Sequence, residues 1–307
     1  MTAHAAARRL RLADGRALGF AVYGDPSGMP LLLLHGTPGA HSQIAIGHGA
    51  GAERGLAIVA PDRWGYGQSD MPRNPTLARF ADDMGALMDD LGHVRFALGG
   101  ISGGGPYACS VAARLVSRVT ALALISPMGP ITDASVRHSL APFHRFVFTM
   151  LPHRPLAVAA IFRVFRASLE RSPRLAAELA TLRAGARDKA LIAQPEIAQW
   201  LLDSFRDGLR QGTAGPLQDL RIFARAWDVD LAAIRAPARL WIGTADTAVP
   251  LRAARLLARS IVGCVITELP SEGHLWVATH YRDVLDWIVA AAGQTAVAGG
   301  NSPPARR

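Results

Sequence analysis

Short apolar runs closed by turn residues alternate along most of this chain with helix-length stretches, and that alternation confines it to a mostly parallel sheet with helices on both faces. The runs fall near Leu10–Leu12, Ala17–Tyr23, Pro30–His35, Leu56–Pro61, Arg95–Ile101, Val119–Ser126, Ala238–Gly243 and Val265–Leu269. Asp14-Gly15 between the first two marks a hairpin turn, so the sheet is expected to start antiparallel. Segments with helical spacing, such as Leu77–Leu91, Gly104–Leu115 and Leu251–Ser260, separate the later runs. The expected fold class is therefore α/β, with an eight-stranded, mostly parallel sheet flanked by helices.

The alternation stops once. Between the run ending near Ser126 and the one starting near Ala238 there is no convincing strand, and the spacing is helical throughout. A connection of that length cannot be a structureless loop in a compact domain, so a helical cap is expected there. The expected organisation is a core whose first part is residues 1–131, a cap at 132–234, the second part of the core at 235–292, and a Gly/Pro/Ser-rich flexible tail at 293–307. Seven of the ten phenylalanines (Phe143, Phe146, Phe148, Phe162, Phe165, Phe205 and Phe223) sit in the cap, which gives it a strongly apolar character.

Composition narrows the function. Half of the residues are hydrophobic and 19% are charged, enough apolar material for a large core and too little charge for disorder. The net charge is +9, with every basic residue except Lys189 an arginine, but the bases are scattered. The longest clusters, Arg8-Arg9-Leu10-Arg11 and Arg306-Arg307, form no stripe that could track a phosphate backbone, so nucleic acid is not an expected partner. Cys109 and Cys264 are too few for a disulfide framework and lack metal-ligand spacing. The first residues carry Arg8-Arg9 without an apolar stretch behind them, and no apolar run approaches the ~18 residues of a spanning helix. A cytoplasmic protein with no membrane insertion is expected.

Gly100-Ile101-Ser102-Gly103-Gly104 joins a strand directly to a helix. A G-x-S-x-G turn in that place is a nucleophile elbow: small residues let strand and helix approach so that the serine hydroxyl projects alone. The plainer alternative is a glycine-rich turn with an incidental serine. A hydroxyl needs a base, and His274 follows the last run in Ser271-Glu272-Gly273-His274, whereas His280 lies within the last helix and His138, His144 and His153 lie in the cap. Asp246, shortly after Gly243, is the candidate carboxylate to hold that base; its alternatives are a plain helix cap before Val249-Pro250, with Asp133 as the next acid. The order Ser102, Asp246, His274 is the serine–acid–histidine order of this architecture. Two backbone donors for an oxyanion are expected from Gly103 and from Thr37 in His35-Gly36-Thr37-Pro38-Gly39, since Pro38 has no amide hydrogen. His35 is expected to brace that loop, and Asp62–Asp70 to form a structural turn beside it.

These segments together resemble the α/β-hydrolase superfamily, in its HGxPG-containing, cap-bearing serine hydrolase branch, from about Arg16 to Ala290. The DRxGxGxSD turn at Asp62–Asp70, the GxSGGGPYA elbow at Gly100–Ala108 and Trp227-Asp228-Val229-Asp230 leading to Ile234-Arg235-Ala236-Pro237 carry the resemblance further. It implies hydrolysis of a small to medium, largely apolar carboxylic ester, thioester or lactone through an acyl-enzyme on Ser102, with water completing the cycle and no metal or organic cofactor. Amide or carbon–carbon bond hydrolysis, perhydrolysis and a noncatalytic binding role stay open. Dehalogenases and epoxide hydrolases of the superfamily carry aspartate at the elbow, which Ser102 argues against. Peptidases of the proline-iminopeptidase type show HGGPG and a tryptophan after the nucleophile, and Thr37 and Gly103 depart from both.

Overall fold

The computed structural model describes residues 5–300. Eight strands form one sheet in the order β1-β2-β4-β3-β5-β6-β7-β8: β1 (Arg8–Arg11), β2 (Ala17–Gly24), β3 (Met29–Leu34), β4 (Leu56–Pro61), β5 (Phe96–Ile101), β6 (Val119–Ile125), β7 (Ala238–Gly243) and β8 (Val265–Leu269). β2 runs antiparallel to both β1 and β4, and every other pairing is parallel. All eight strands stand where the apolar runs place them, but β1 starts earlier than expected. Its pairing with β2 reaches Arg8 opposite Phe20, where the guanidinium lies over the phenyl ring. An edge strand tolerates such charge, so hydropathy alone cannot find it.

Period-two alternation along the strands feeds two cores. On one face Leu32, Leu34, Leu122, Leu124, Leu240 and Ile242 pack against α2 (Leu77–Asp90), α3 (Gly105–Arg114) and α11 (Leu251–Ser260). On the other, Leu31, Leu33, Ala121, Ala123 and Trp241 meet α1 (His48–Ala52) and α12 (Val277–Gly300). Helix α2 is capped by Thr76, whose hydroxyl accepts from the Arg79 amide at 3.2 Å, satisfying one of the free donors of its first turn. Helix α12 continues past residue 293, where the tail was expected to begin; residues 301–307 lie outside those described.

Between β6 and β7 the chain forms seven α-helices, besides a π-helical segment at Phe146–Met150 and two 3-10 turns: α4 (Ala134–Arg137), α5 (Pro142–Arg145), α6 (Pro155–Arg171), α7 (Pro173–Thr181), α8 (Ala186–Ile192), α9 (Pro195–Gly208) and α10 (Ala214–Phe223). This insertion has a small core of its own, with Phe162, Phe165 and Phe205 around Leu169, Ala176, Leu202 and Leu209. Phe148 and Phe223 instead join the sheet-face core, so the insertion is anchored by its rings as well as by its two chain connections. No helix among the described residues is long and apolar enough to cross a membrane.

Candidate active site

Ser102 sits between β5 and α3 with φ at +51°, a left-handed conformation that a side chain tolerates only under constraint. The constraint is close packing. A Cβ on Gly100 would stand 2.7 Å from the Ala108 Cβ, and one on Gly104 2.7 Å from the His35 carbonyl oxygen, so neither position admits a side chain. The Ser102 hydroxyl thus projects from the carboxyl end of the sheet.

His274 lies in the turn between β8 and α12, with Nε2 3.0 Å from Ser102 Oγ and Nδ1 2.7 Å from Asp246 Oδ2. The chain separations are 172 and 28 residues, so the fold and not local sequence brings the three together. Asp246 is fully buried at its side chain, and its second oxygen accepts from the amides of Ala248 and Val249. Burial by itself holds the His274 imidazolium down, but the charge and hydrogen bond of Asp246, with the charge of Asp188, outweigh it and set the pKa above the ordinary histidine value. Asp133 stands apart from this group and caps α4, accepting from the Ser135 amide and hydroxyl.

Thr37 and Gly103 are in contact. A Cβ on Gly103 would fall 2.0 Å from Thr37 Oγ1, so the threonine side chain fills the space that a residue after the serine would otherwise occupy. The two departures from the peptidase pattern are therefore one exchange, a side chain at 37 in place of one at 103. The Thr37 amide donates to no acceptor among the described residues. His35 braces the loop as its sequence position suggests: Nδ1 donates to the Gly36 carbonyl at 2.8 Å and Nε2 accepts from the Arg63 amide at 2.9 Å. Burial, then the charge of Arg63, pushes its pKa well below the histidine range, so it is neutral.

Four side chains at this site escape sequence reasoning. Gln43 Oε1 accepts from the Gly36 amide at 2.6 Å. Arg63, within the turn at Asp62–Asp70, donates to the carbonyls of His35 and Gly36 and to Thr37 Oγ1, each at 3.0 Å. Asp219, on α10, is buried and pairs with Arg63 at 2.5 Å while also accepting from Thr37, Tyr66 and Tyr107 hydroxyls. Asp188, on α8, accepts from the His274 and Leu275 amides, both at 2.9 Å. A signal for the two aspartates did exist: each falls on the apolar phase of its helix, Asp219 with Ile222 and Phe223, Asp188 with Leu191, where a charge has to meet a partner.

Above Ser102 and His274 opens a cavity of about 800 Å³, walled on the core side by Met128 and on the insertion side by Phe148, Phe162, Phe165, Leu201 and Phe223. A model of the alpha/beta hydrolase fold matches residues 29–277 of this sequence, a stretch that holds all three residues of the hydrogen-bonded group. The chain belongs to the alpha/beta hydrolase fold family. AB hydrolase superfamily protein YisY of Bacillus subtilis is 27% identical over 259 residues, covering 80% of this chain and 85% of the relative. An alpha/beta hydrolase fold protein from Nakamurella multipartita shares 25% identity at a TM-score of 0.66, covering 94% of this chain and all of that one. A thermophilic esterase from Thermogutta terrifontis, at 21% identity and a TM-score of 0.67 over 95% of this chain and 99% of its own, shares the fold.

Proposed function

We propose that the protein is a serine hydrolase of small to medium, largely apolar carboxylic esters, thioesters or lactones, working through an acyl-enzyme on Ser102. The observation that carries this reading is the unbroken line of hydrogen bonds from Ser102 Oγ through His274 to Asp246 at the floor of an apolar cavity. Asp246 accepts a hydrogen bond from Nδ1–H, which fixes the tautomer whose Nε2 lone pair faces the serine. As Ser102 Oγ attacks the acyl carbon, Nε2 takes its proton and later delivers it to the departing alkoxide or thiolate. The amides of Thr37 and Gly103 hold the negative oxygen of the tetrahedral intermediate. Water, activated by the same nitrogen, releases the acid and restores the serine.

The helical insertion acts as a cap over the acyl site, with its rings forming an apolar roof. The chemistry asks for no metal or organic cofactor. Hydrolysis of a panel of acyl esters by wild-type protein and by Ser102→Ala tests the reading: the variant is expected to lose activity by thousands-fold or more while keeping its fold. A folded Ser102→Ala protein retaining more than a tenth of wild-type turnover overturns the assignment.

A further inference from the structure

We propose that Asp219 and Asp188, both supplied by the helical insertion, are positioning residues for the two halves of the reaction machinery, so that seating the insertion and assembling the site are one event. The proposal rests on the serine hydrolase reading and goes beyond it.

Asp219 lies behind the oxyanion loop. Its two oxygens take four donors, Arg63 Nη1 and Tyr107 Oη on one, Tyr66 Oη and Thr37 Oγ1 on the other, which fills the capacity of a carboxylate. All four donors belong to the core, and only the acceptor comes from the insertion. The Arg63 guanidinium is wholly buried, and its one carboxylate partner among the described residues is Asp219. Withdrawing Asp219 therefore leaves a buried, uncompensated charge, a state strongly disfavoured.

The consequence reaches the reacting atoms through one peptide plane. Arg63 Nη2 and His35 Nδ1 both donate to the Gly36 carbonyl, and that carbonyl shares a planar unit with the Thr37 amide. In a trans peptide the two groups point in opposite directions, so fixing the carbonyl on Arg63 aims the Thr37 N–H away from it, toward the cavity. Asp219 fixes Arg63 and tethers the Thr37 hydroxyl, holding this plane at both ends.

Asp188 does the corresponding work on the histidine side. Each of its oxygens accepts one of two successive amides, His274 and Leu275, and a Cβ on Gly273 would fall 2.3 Å from its carboxylate, so the approach needs glycine there. Its negative charge also favours the imidazolium. Other charged or titratable groups around this turn include Asp246, Glu272 in its ion pair with Arg187, Arg183 and Tyr281 on the cavity wall, and His144, whose Nε2 lies 3.0 Å from the Thr247 carbonyl.

The two roles separate experimentally. Active sites of each variant are titrated with a fluorophosphonate, and rates are expressed per titrated site, which removes any loss from unfolded protein. A trifluoromethyl ketone, which adds to Ser102 as an oxyanion, reports on the donors. For Asp219→Asn, kcat and ketone affinity are expected to fall together by at least about tenfold, with KM within about twofold and the acid limb of kcat/KM unmoved. For Asp188→Asn, the acid limb is expected to move to lower pH. Should Asp219→Asn fail to fold, Thr37→Val removes the hydroxyl tether while leaving the buried ion pair, and is expected to lower both quantities several-fold. Unchanged per-site kcat and ketone affinity in Asp219→Asn, or in Thr37→Val where that variant stands in, overturns the oxyanion half. An unmoved acid limb in Asp188→Asn overturns the histidine half. Wild-type protein that neither reacts with the fluorophosphonate nor hydrolyses any ester would instead sink the serine hydrolase reading itself.

Discussion

One oxygen of Asp246 faces His274 and the other holds the amides of Ala248 and Val249, so the proposed catalytic role and the bracing of its own turn coexist in a single carboxylate, while helix α11 is entered at Pro250 without a side-chain cap. That division makes Asp246→Asn informative. The amide oxygen can keep the two backbone donors, which presents NH2 to His274 Nδ1 and forces the proton onto Nε2, where the serine needs a lone pair. Turnover is expected to drop roughly ten-thousandfold with little change in melting temperature; an unchanged rate would move the acid elsewhere. The pH dependence follows from the same contact. His274 must be neutral to accept a proton, and its pKa is raised, so kcat/KM is expected to be full at high pH and to fall as pH drops through a midpoint above ~6.5. A midpoint below that value contradicts the charge arrangement. Gly103→Ala would drive a methyl group into Thr37 and displace one donor, with an expected loss of about a hundredfold in kcat at nearly constant KM, read from steady-state kinetics.

At the scale of elements, the insertion divides its rings between two tasks. Phe162, Phe165 and Phe205 pack its own small core and also face the cavity, while Phe148 and Phe223 meet edge to face, with centroids 6.2 Å apart, and form the part of the proposed roof joined to the sheet-face core. An apolar roof rewards each methylene it buries by about 0.8 kcal/mol, or up to roughly fourfold in kcat/KM per carbon. The rate per titrated site is expected to rise from acetyl to medium-chain esters, and Phe148→Ala to flatten that rise. A flat or falling wild-type series below micelle-forming concentrations rejects the roof and leaves the triad reading untouched. The strands themselves were legible because burial on both faces writes them as continuous apolar runs, as in Leu31–Leu34 or Ala121–Ile125. The edge strand at Arg8–Arg11 and the helical stretch beyond residue 293 were not, since charge on an edge and small residues at a helix end carry no periodicity to read.

Across the whole molecule, legibility follows chain separation. The elbow is a local motif, and Ser102 could be read from five consecutive residues. His274 and Asp246 could be reached by chain order alone, once the sheet was drawn. The partners of Asp219 lie up to 182 residues away and those of Asp188 86 and 87 residues away, and no local pattern states that Arg63 lacks a counter-charge until an insertion helix delivers one. The same long-range contacts join insertion and core through buried polar groups at both ends of the site. The proposed chemistry turns on one covalent event at Ser102, and intact-mass measurement of the protein with an equimolar fluorophosphonate, followed by peptide mapping, reads it directly. The expected result is a single adduct per chain on the peptide bearing Ser102, absent from Ser102→Ala and suppressed by a competing medium-chain ester. An unmodified wild-type protein, or an adduct that maps to another residue and persists in Ser102→Ala, would contradict it.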